Sequence, residues 1–148
     1  MYKTILVAID DSETSRSALA EALHIARTSN AKLYISHVAD ETMLNMHGHA
    51  LTNVVNLEGA VANIIQAGRT LLDKAMAQAE GVNAEALILE TRNRRVSETI
   101  AEKAKELNID LIVIGRHGQR GLATLILGSV AEQLAKIADA SVLLVRKH

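Results

Sequence analysis

Between Asp110 and Val130 the chain carries Gly115, Gly118, Gly121 and a Gly128-Ser129 pair, with Arg116, His117 and Arg120 among them. Glycines let a backbone take positive φ or approach a ligand closely. Free N–H groups and the positive dipole end at a helix start, together with a serine hydroxyl and nearby cations, suit the oxygens of a phosphate. The same residues fit a plainer reading, in which the glycines close turns and Ser129 caps a helix. A second constellation is Asp10-Asp11-Ser12. Its carboxylates could accept from ligand hydroxyls, and the plain reading makes Asp10 a turn or cap residue.

The elements that position these residues follow from the hydrophobic pattern. Lys3–Ile9 reads as a strand, and Leu111–Ile114 as another that Gly115 stops; both runs are apolar without alternation, as in a parallel sheet covered on both faces. Ser12 or Asp11 caps a helix whose buried stripe is Ala18, Leu19, Ala22, Ile25 and Ala26, and Asn30 ends it. A second strand runs from Ala31 to His37 or Val38. A long helix spans Glu58–Glu80 with Val61, Ile64, Ile65, Leu71, Leu72, Ala75, Met76 and Ala79 inward, and Gly68 lets it approach the sheet. Gly81-Val82-Asn83 turns into a third strand, Ala84–Glu90. A helix carrying Val96, Ile100, Ala104 and Leu107 follows, and after the glycine loop a helix from Gly128 continues through Val130, Leu134 and Ile137. Ser141–Val145 is the fifth strand.

Strict alternation of strand and helix predicts a single α/β domain, a doubly wound five-stranded parallel sheet with helices on both faces. Right-handed crossovers lay the first three strands outward and return the fourth beside the first, giving the order 3-2-1-4-5. Ligands in such sheets bind at the carboxyl ends of the strands where the order reverses. Asp10 and Gly115 end the two strands at that point, so topology alone brings two stretches more than a hundred residues apart to one crevice.

Gly115, Gly118, Gly128 and Ser129 follow the pattern G-x2-G-x9-G-S, and with the opening Thr4–Ser12 the whole chain resembles the nucleotide-binding members of the universal stress protein family. The resemblance implies a site in which Ala8, Ile9 and Asp10 line the base and ribose side and Val38 flanks the adenine. Ile114 and Gly115 would border the ribose, and His117 and Gly118 would turn the loop around the phosphates. Gly128, Ser129, Val130 and Ala131 would offer N–H groups and a hydroxyl to them. The implied ligand is ATP with Mg²⁺. Many members pair through the last strand, so a homodimer through Ser141–Val145 is expected; that edge is apolar, without proline or charge until Arg146. The chain departs from the family in having no proline, with Ala8 and Ser141 at two positions that often carry one, and Ala131 where a threonine is common. A glycine and a proline usual in the stretch before the helix that carries Val96 are also missing.

Composition narrows the function classes. The chain has 148 residues, a formal net charge of −1 from 16 basic and 17 acidic side chains, and only Tyr2 and Tyr34 as aromatics. It therefore lacks both the basic field and the stacking platforms that nucleic-acid binding uses, and no nucleic-acid partner is expected. No run approaches the ~20 apolar residues of a membrane span, no secretory apolar segment opens the chain, and there is no cysteine. These features predict a cytoplasmic protein with no membrane insertion. His47-Gly48-His49, in the aperiodic stretch from Ala39 to Leu57, has no cysteine or carboxylate cluster beside it and reads as solvated loop, with no metal assigned. Met43, Leu44, Met46 and Leu51 of that stretch could pack over a neighbouring site. Arg92, Arg94 and Arg95 fit either a phosphate contact or a solvated helix entrance.

Three functions are compatible with these residues. The first is an ATP-binding regulatory or sensing module of the stress response. The second is a slow ATPase or phosphotransferase, for which no Walker lysine and no clear base is found, with Asp10, Asp11 and His117 the only candidates and no catalytic residue assigned. The third is a phosphoacceptor domain built on Asp10-Asp11. It is disfavoured because the third strand ends in Leu89-Glu90-Thr91 and no helix follows the last strand.

Overall fold

A computed structural model describes residues 1–40, 57–116 and 129–147. The elements are β1 (Thr4–Ala8), α1 (Glu13–Ser29), β2 (Lys32–Ala39), α2 (Leu57–Ala77), β3 (Ala84–Glu90), α3 (Val96–Glu106), β4 (Leu111–Gly115), α4 (Ser129–Ile137) and β5 (Ser141–Val145). All five strands are parallel, in the order β3-β2-β1-β4-β5. The fold is the expected doubly wound sheet.

β1 occupies the centre, with Ile5, Leu6 and Val7 fully buried. Successive side chains point to opposite faces. Ile5, Val7 and Ile9 join Leu33, Ile35, Leu111 and Val113 under α1 and α2, with Leu19, Leu23, Leu72 and Ala75 as the helical side of that core. Leu6, Ala8, Ile112 and Ile114 form the second core with Ile100 and Ala104 of α3 and Ala131 and Leu134 of α4. The unbroken apolar runs of β1 and β4 are thus explained by helices on both faces. At the amino ends, the Asp110 carboxylate accepts the backbone N–H groups of Lys3 at 2.9 Å and Thr4 at 3.2 Å, fastening the start of β1 beside β4.

Several boundaries differ from expectation for identifiable reasons. α2 ends at Ala77, three residues early, because Gln78 and Ala79 bond three residues back, to Ala75 and Met76, and Gly81 then turns at φ 80°. β1 ends at Ala8: the Ile9 amide still bonds the Ser36 carbonyl, but the Ile9 carbonyl is taken by the His37 ring. On α1 the buried stripe includes Leu23, while Ile25 is only half-buried. On α4, Ala131 and Leu134 face the core, whereas Ile137 lies 47% exposed. Gly68 behaves as expected: a Cβ there would lie 2.7 Å from His37 Cδ2 and 3.1 Å from Ile88 Cδ1, so only glycine brings α2 this close to β2 and β3. Among the described residues no helix is long and apolar enough to cross a membrane.

Candidate functional site

A cleft of about 1190 Å³ opens at the carboxyl ends of the strands, over the place where the strand order reverses between β1 and β4. Nine of the twelve candidate residues line it: Ala8, Ile9, Asp10, Val38, Ile114, Gly115, Ser129, Val130 and Ala131. His117, Gly118 and Gly128 lie outside the described residues, as do Gly121, Arg120 and the stretch holding Met43, Leu44, Met46, His47, His49 and Leu51.

The apolar wall has a simple origin. Ala8 and Ile114 are the α3–α4-facing residues at the ends of the two central strands, and Val38, Val130 and Ala131 belong to the same core. That core is continuous with Ile100 and Val96, which also border the cleft. A flat apolar group entering here would meet aliphatic side chains, in keeping with a chain that has no phenylalanine or tryptophan.

Asp10 stands where β1 gives way to α1. Its Oδ1 accepts the Ser12 N–H at 2.9 Å, and its own N–H donates to Ser15 Oγ at 2.8 Å. Ser12 caps α1, its Oγ accepting the Ser15 N–H at 3.2 Å. The turn role that the sequence allowed for Asp10 is therefore real. It places the carboxylate at the cleft wall beside Ile9 and Asp11.

Gly115 works differently from the sequence expectation. It is the last residue of β4, paired with Val145, and Gly81 is the only positive-φ glycine among the described residues. Its lack of a side chain serves helix packing: a Cβ would lie 2.7 Å from Thr14 Oγ1 and 2.9 Å from the Thr14 carbonyl carbon. The glycine lets the first turn of α1 close over the end of β4.

Ser129 opens α4 with its side chain exposed. The first amides of a helix have no partner within it, so this end presents donors and a partial positive charge at the cleft. Across the cleft, the turn between β3 and α3 adds Asn93, Arg94 and Arg95. Arg92 and Asn93 have φ of 48° and 67°, and the Arg94 N–H returns to the Thr91 carbonyl at 2.9 Å. Two consecutive left-handed residues make the tight reversal for which a glycine is the usual choice. Arg94 forms an ion pair with Glu102, which favours the structural reading for that arginine. Arg95 is the α3 N-cap, exposed and without a side-chain capping bond.

Sequence reasoning passed over His37 and Gln133, both on the cleft wall. Neither carries a motif. A histidine next to the candidate Val38, near the carboxyl end of a central strand, was the only available signal. Among the described residues no group of three or more His, Cys, Asp or Glu side chains could hold a metal ion. A shallower hollow of about 550 Å³ lies over α3 and α4, where the Arg94–Glu102 pair is found, and includes none of the twelve candidate residues above.

Comparison with known proteins agrees with this architecture. The sequence matches the Universal stress protein family over residues 1–146. Universal stress protein YxiE of Bacillus subtilis is 33% identical over 153 residues, covering 99% of this chain and 100% of the relative. The structure of MJ0577 from Methanocaldococcus jannaschii superposes with a TM-score of 0.83 at 24% identity, over 100% of this chain and 98% of that one, a likeness of fold. A universal stress protein solved in complex with cAMP superposes with a TM-score of 0.66 at 26% identity, over 99% of this chain and 98% of its own. With a family match over nearly its full length and a relative one-third identical from end to end, the chain belongs to the universal stress protein family.

Proposed function

We propose that this protein binds an adenine nucleotide, ATP with Mg²⁺, in the cleft between β1 and β4, and acts as a nucleotide-dependent regulatory or sensing module in the stress response of the cytoplasm. The observation that carries the reading is the convergence of the nine described candidate residues on one cleft at the topological switch point. The residues present fit the ligand. Ala8, Val38 and Ile114 supply an aliphatic wall for a base, Asp10 a carboxylate for ribose hydroxyls, and Ser129 with the first amides of α4 donors for phosphate oxygens. The cAMP complex of a relative 26% identical supports an adenine nucleotide as the ligand class. Mg²⁺, when bound with the nucleotide, would offset phosphate charge.

The regulatory reading is preferred to an enzymatic one on the geometry at Asp10. A general base needs its carboxylate directed at the attacking group, and Asp10 Oδ1 already accepts the Ser12 N–H. Turnover is expected to be far below the ~10 s⁻¹ typical of enzymes.

The assembly expected with this function is a homodimer through β5. This strand ends the sheet, with Val142, Leu143 and Leu144 half-buried. Pairing with a second copy about a two-fold axis would satisfy its outer backbone groups in a closed interface.

The deciding experiment is mass spectrometry of the small molecule released when the purified protein is denatured, with calorimetric titration of ATP, cAMP and GTP. Release of an adenine nucleotide and selective heat with the adenine ligands are expected. A protein that releases none and gives no heat with any of them sinks the proposal.

A further inference from the structure

The peptide group joining Ile9 to Asp10 is held from both ends. On one side its N–H, that of Asp10, donates to Ser15 Oγ at 2.8 Å. On the other its carbonyl oxygen, that of Ile9, lies 2.8 Å from His37 Nδ1. A peptide group is planar and rigid, so two bonds at opposite ends hold its position and the direction of its C=O and N–H. Asp10 projects from that plane into the cleft.

The His37 ring is itself constrained. A carbonyl oxygen only accepts, so Nδ1 carries a proton and the neutral ring is the Nδ1–H tautomer. The imidazolium also carries that proton, so the bond survives a change of charge. The opposite edge of the ring meets α2 at Gly68, where a Cβ would come within 2.7 Å of Cδ2 and 3.3 Å of Nε2. The preceding residue braces the same strand end. The buried Ser36 hydroxyl donates to the Val7 carbonyl at 3.0 Å, and the Ser36 carbonyl accepts the Ile9 N–H at 2.8 Å.

We infer that His37 is a positioning residue of the nucleotide site: by donating from Nδ1 to the Ile9 carbonyl it orients the Ile9–Asp10 peptide, and through it the Asp10 carboxylate that meets the ligand. The inference rests on the functional reading above and adds to it a residue that acts without touching the nucleotide. Clamped between β1 and α2, the ring passes the placement of α2 on to the ligand-facing turn.

The test compares three variants in the full-length chain. The side-chain amide of His37→Asn can place an N–H near the position of Nδ1, whereas the longer His37→Gln reaches towards that of Nε2, and His37→Leu has no donor. Calorimetry with ATP is expected to show His37→Asn within about threefold of the parent, and His37→Gln and His37→Leu weaker by roughly tenfold, the scale of one lost hydrogen bond. Urea midpoints for each variant separate folding from binding. A purely structural histidine would lower the midpoint and leave the affinity of the folded protein equal across all three, and that result overturns the inference. Nitrogen-15 NMR of the ligand-free parent in mildly alkaline buffer should find His37 in the Nδ1–H form; the Nε2–H form would overturn the strap. Because that spectrum needs no ligand, it tests the strap separately from the nucleotide reading. A parent protein that binds no adenine nucleotide overturns that reading and the effect of His37 on affinity together.

Discussion

Gly115 and Thr14 are in such close contact that no other residue fits at position 115 as the chain stands: a Cβ would lie 2.7 Å from the threonine Oγ1 and 2.9 Å from its backbone carbonyl carbon. The second distance matters more, because a side-chain rotation cannot relieve it. Gly115→Ala is expected to destabilise the fold by about 1–3 kcal/mol, the usual cost of overpacking, by forcing α1 away from β4. Thr14→Ala in the same chain should restore only part of this loss. Urea denaturation of the single and double variants checks both statements, and full restoration would place the strain in the side chain alone.

Asp110 fastens the amino end of the sheet as Gly115 adjusts the carboxyl end. Its carboxylate accepts two backbone N–H groups, from Lys3 and Thr4, and its own N–H bonds the Thr4 carbonyl at 3.0 Å. Asp110→Ala leaves both donors to water at a partly exposed site, so a cost of about 1–2 kcal/mol is expected. The bonds lie at the far end of the strands from the cleft, and ATP affinity should therefore hold within about twofold. A stability change without an affinity change is the outcome to look for by denaturation and calorimetry.

The glycine-serine motif yields a prediction of the opposite kind. Gly118→Val is expected to abolish ATP binding by filling the phosphate path, and Ser129→Ala to weaken it by about tenfold through one lost hydroxyl contact. Ser129 is exposed at the start of α4, so its replacement should change the denaturation midpoint little. ATP binding by Gly118→Val at the strength of the parent would show that the site has been misplaced.

For the assembly, light scattering at micromolar concentration should give a mass near twice that of the 15.9 kDa chain. Val142→Lys or Leu144→Lys is expected to shift it to monomer by placing a charge beside the pairing edge. Circular dichroism would confirm that the variants remain folded. A parent protein that stays monomeric removes the β5 interface.

The strand order was readable in advance because the alternation of elements and the rule of right-handed crossovers leave little choice, and the bounds of β3 and β5 followed from their flanking turns. What failed depended on partners that periodicity does not record. The apolar period of α2 runs on to Ala79, yet the helix ends at Ala77 because the following amides tighten to bonds three residues back. Ile137 continues the α4 stripe on paper and is nevertheless half-exposed at the helix end. Gly115 was legible as a special position, but not for the positive φ expected of it; its close approach to Thr14 could not be read because that neighbour is remote in sequence. His37 left almost no trace, because its importance rests on one backbone carbonyl across a strand pair and a glycine thirty-one residues further on. The residues of the apolar wall came from the family resemblance, and the structure explains their character: Ala8 and Ile114 continue the buried runs of β1 and β4.

The central position of β1 also sets a timetable for the newborn chain. One side of this strand can pair as soon as Lys32–Ser36 has emerged from the ribosome, but the other waits for Leu111–Ile114, more than seventy residues later. Until then a strand that is apolar from Ile5 to Ala8 has an open flank, and the crevice has only one of its two banks. A ligand seated between β1 and β4 could act only as a late lock on a chain that has already inserted β4, so the interval before that insertion is when the chain is most exposed to misassociation.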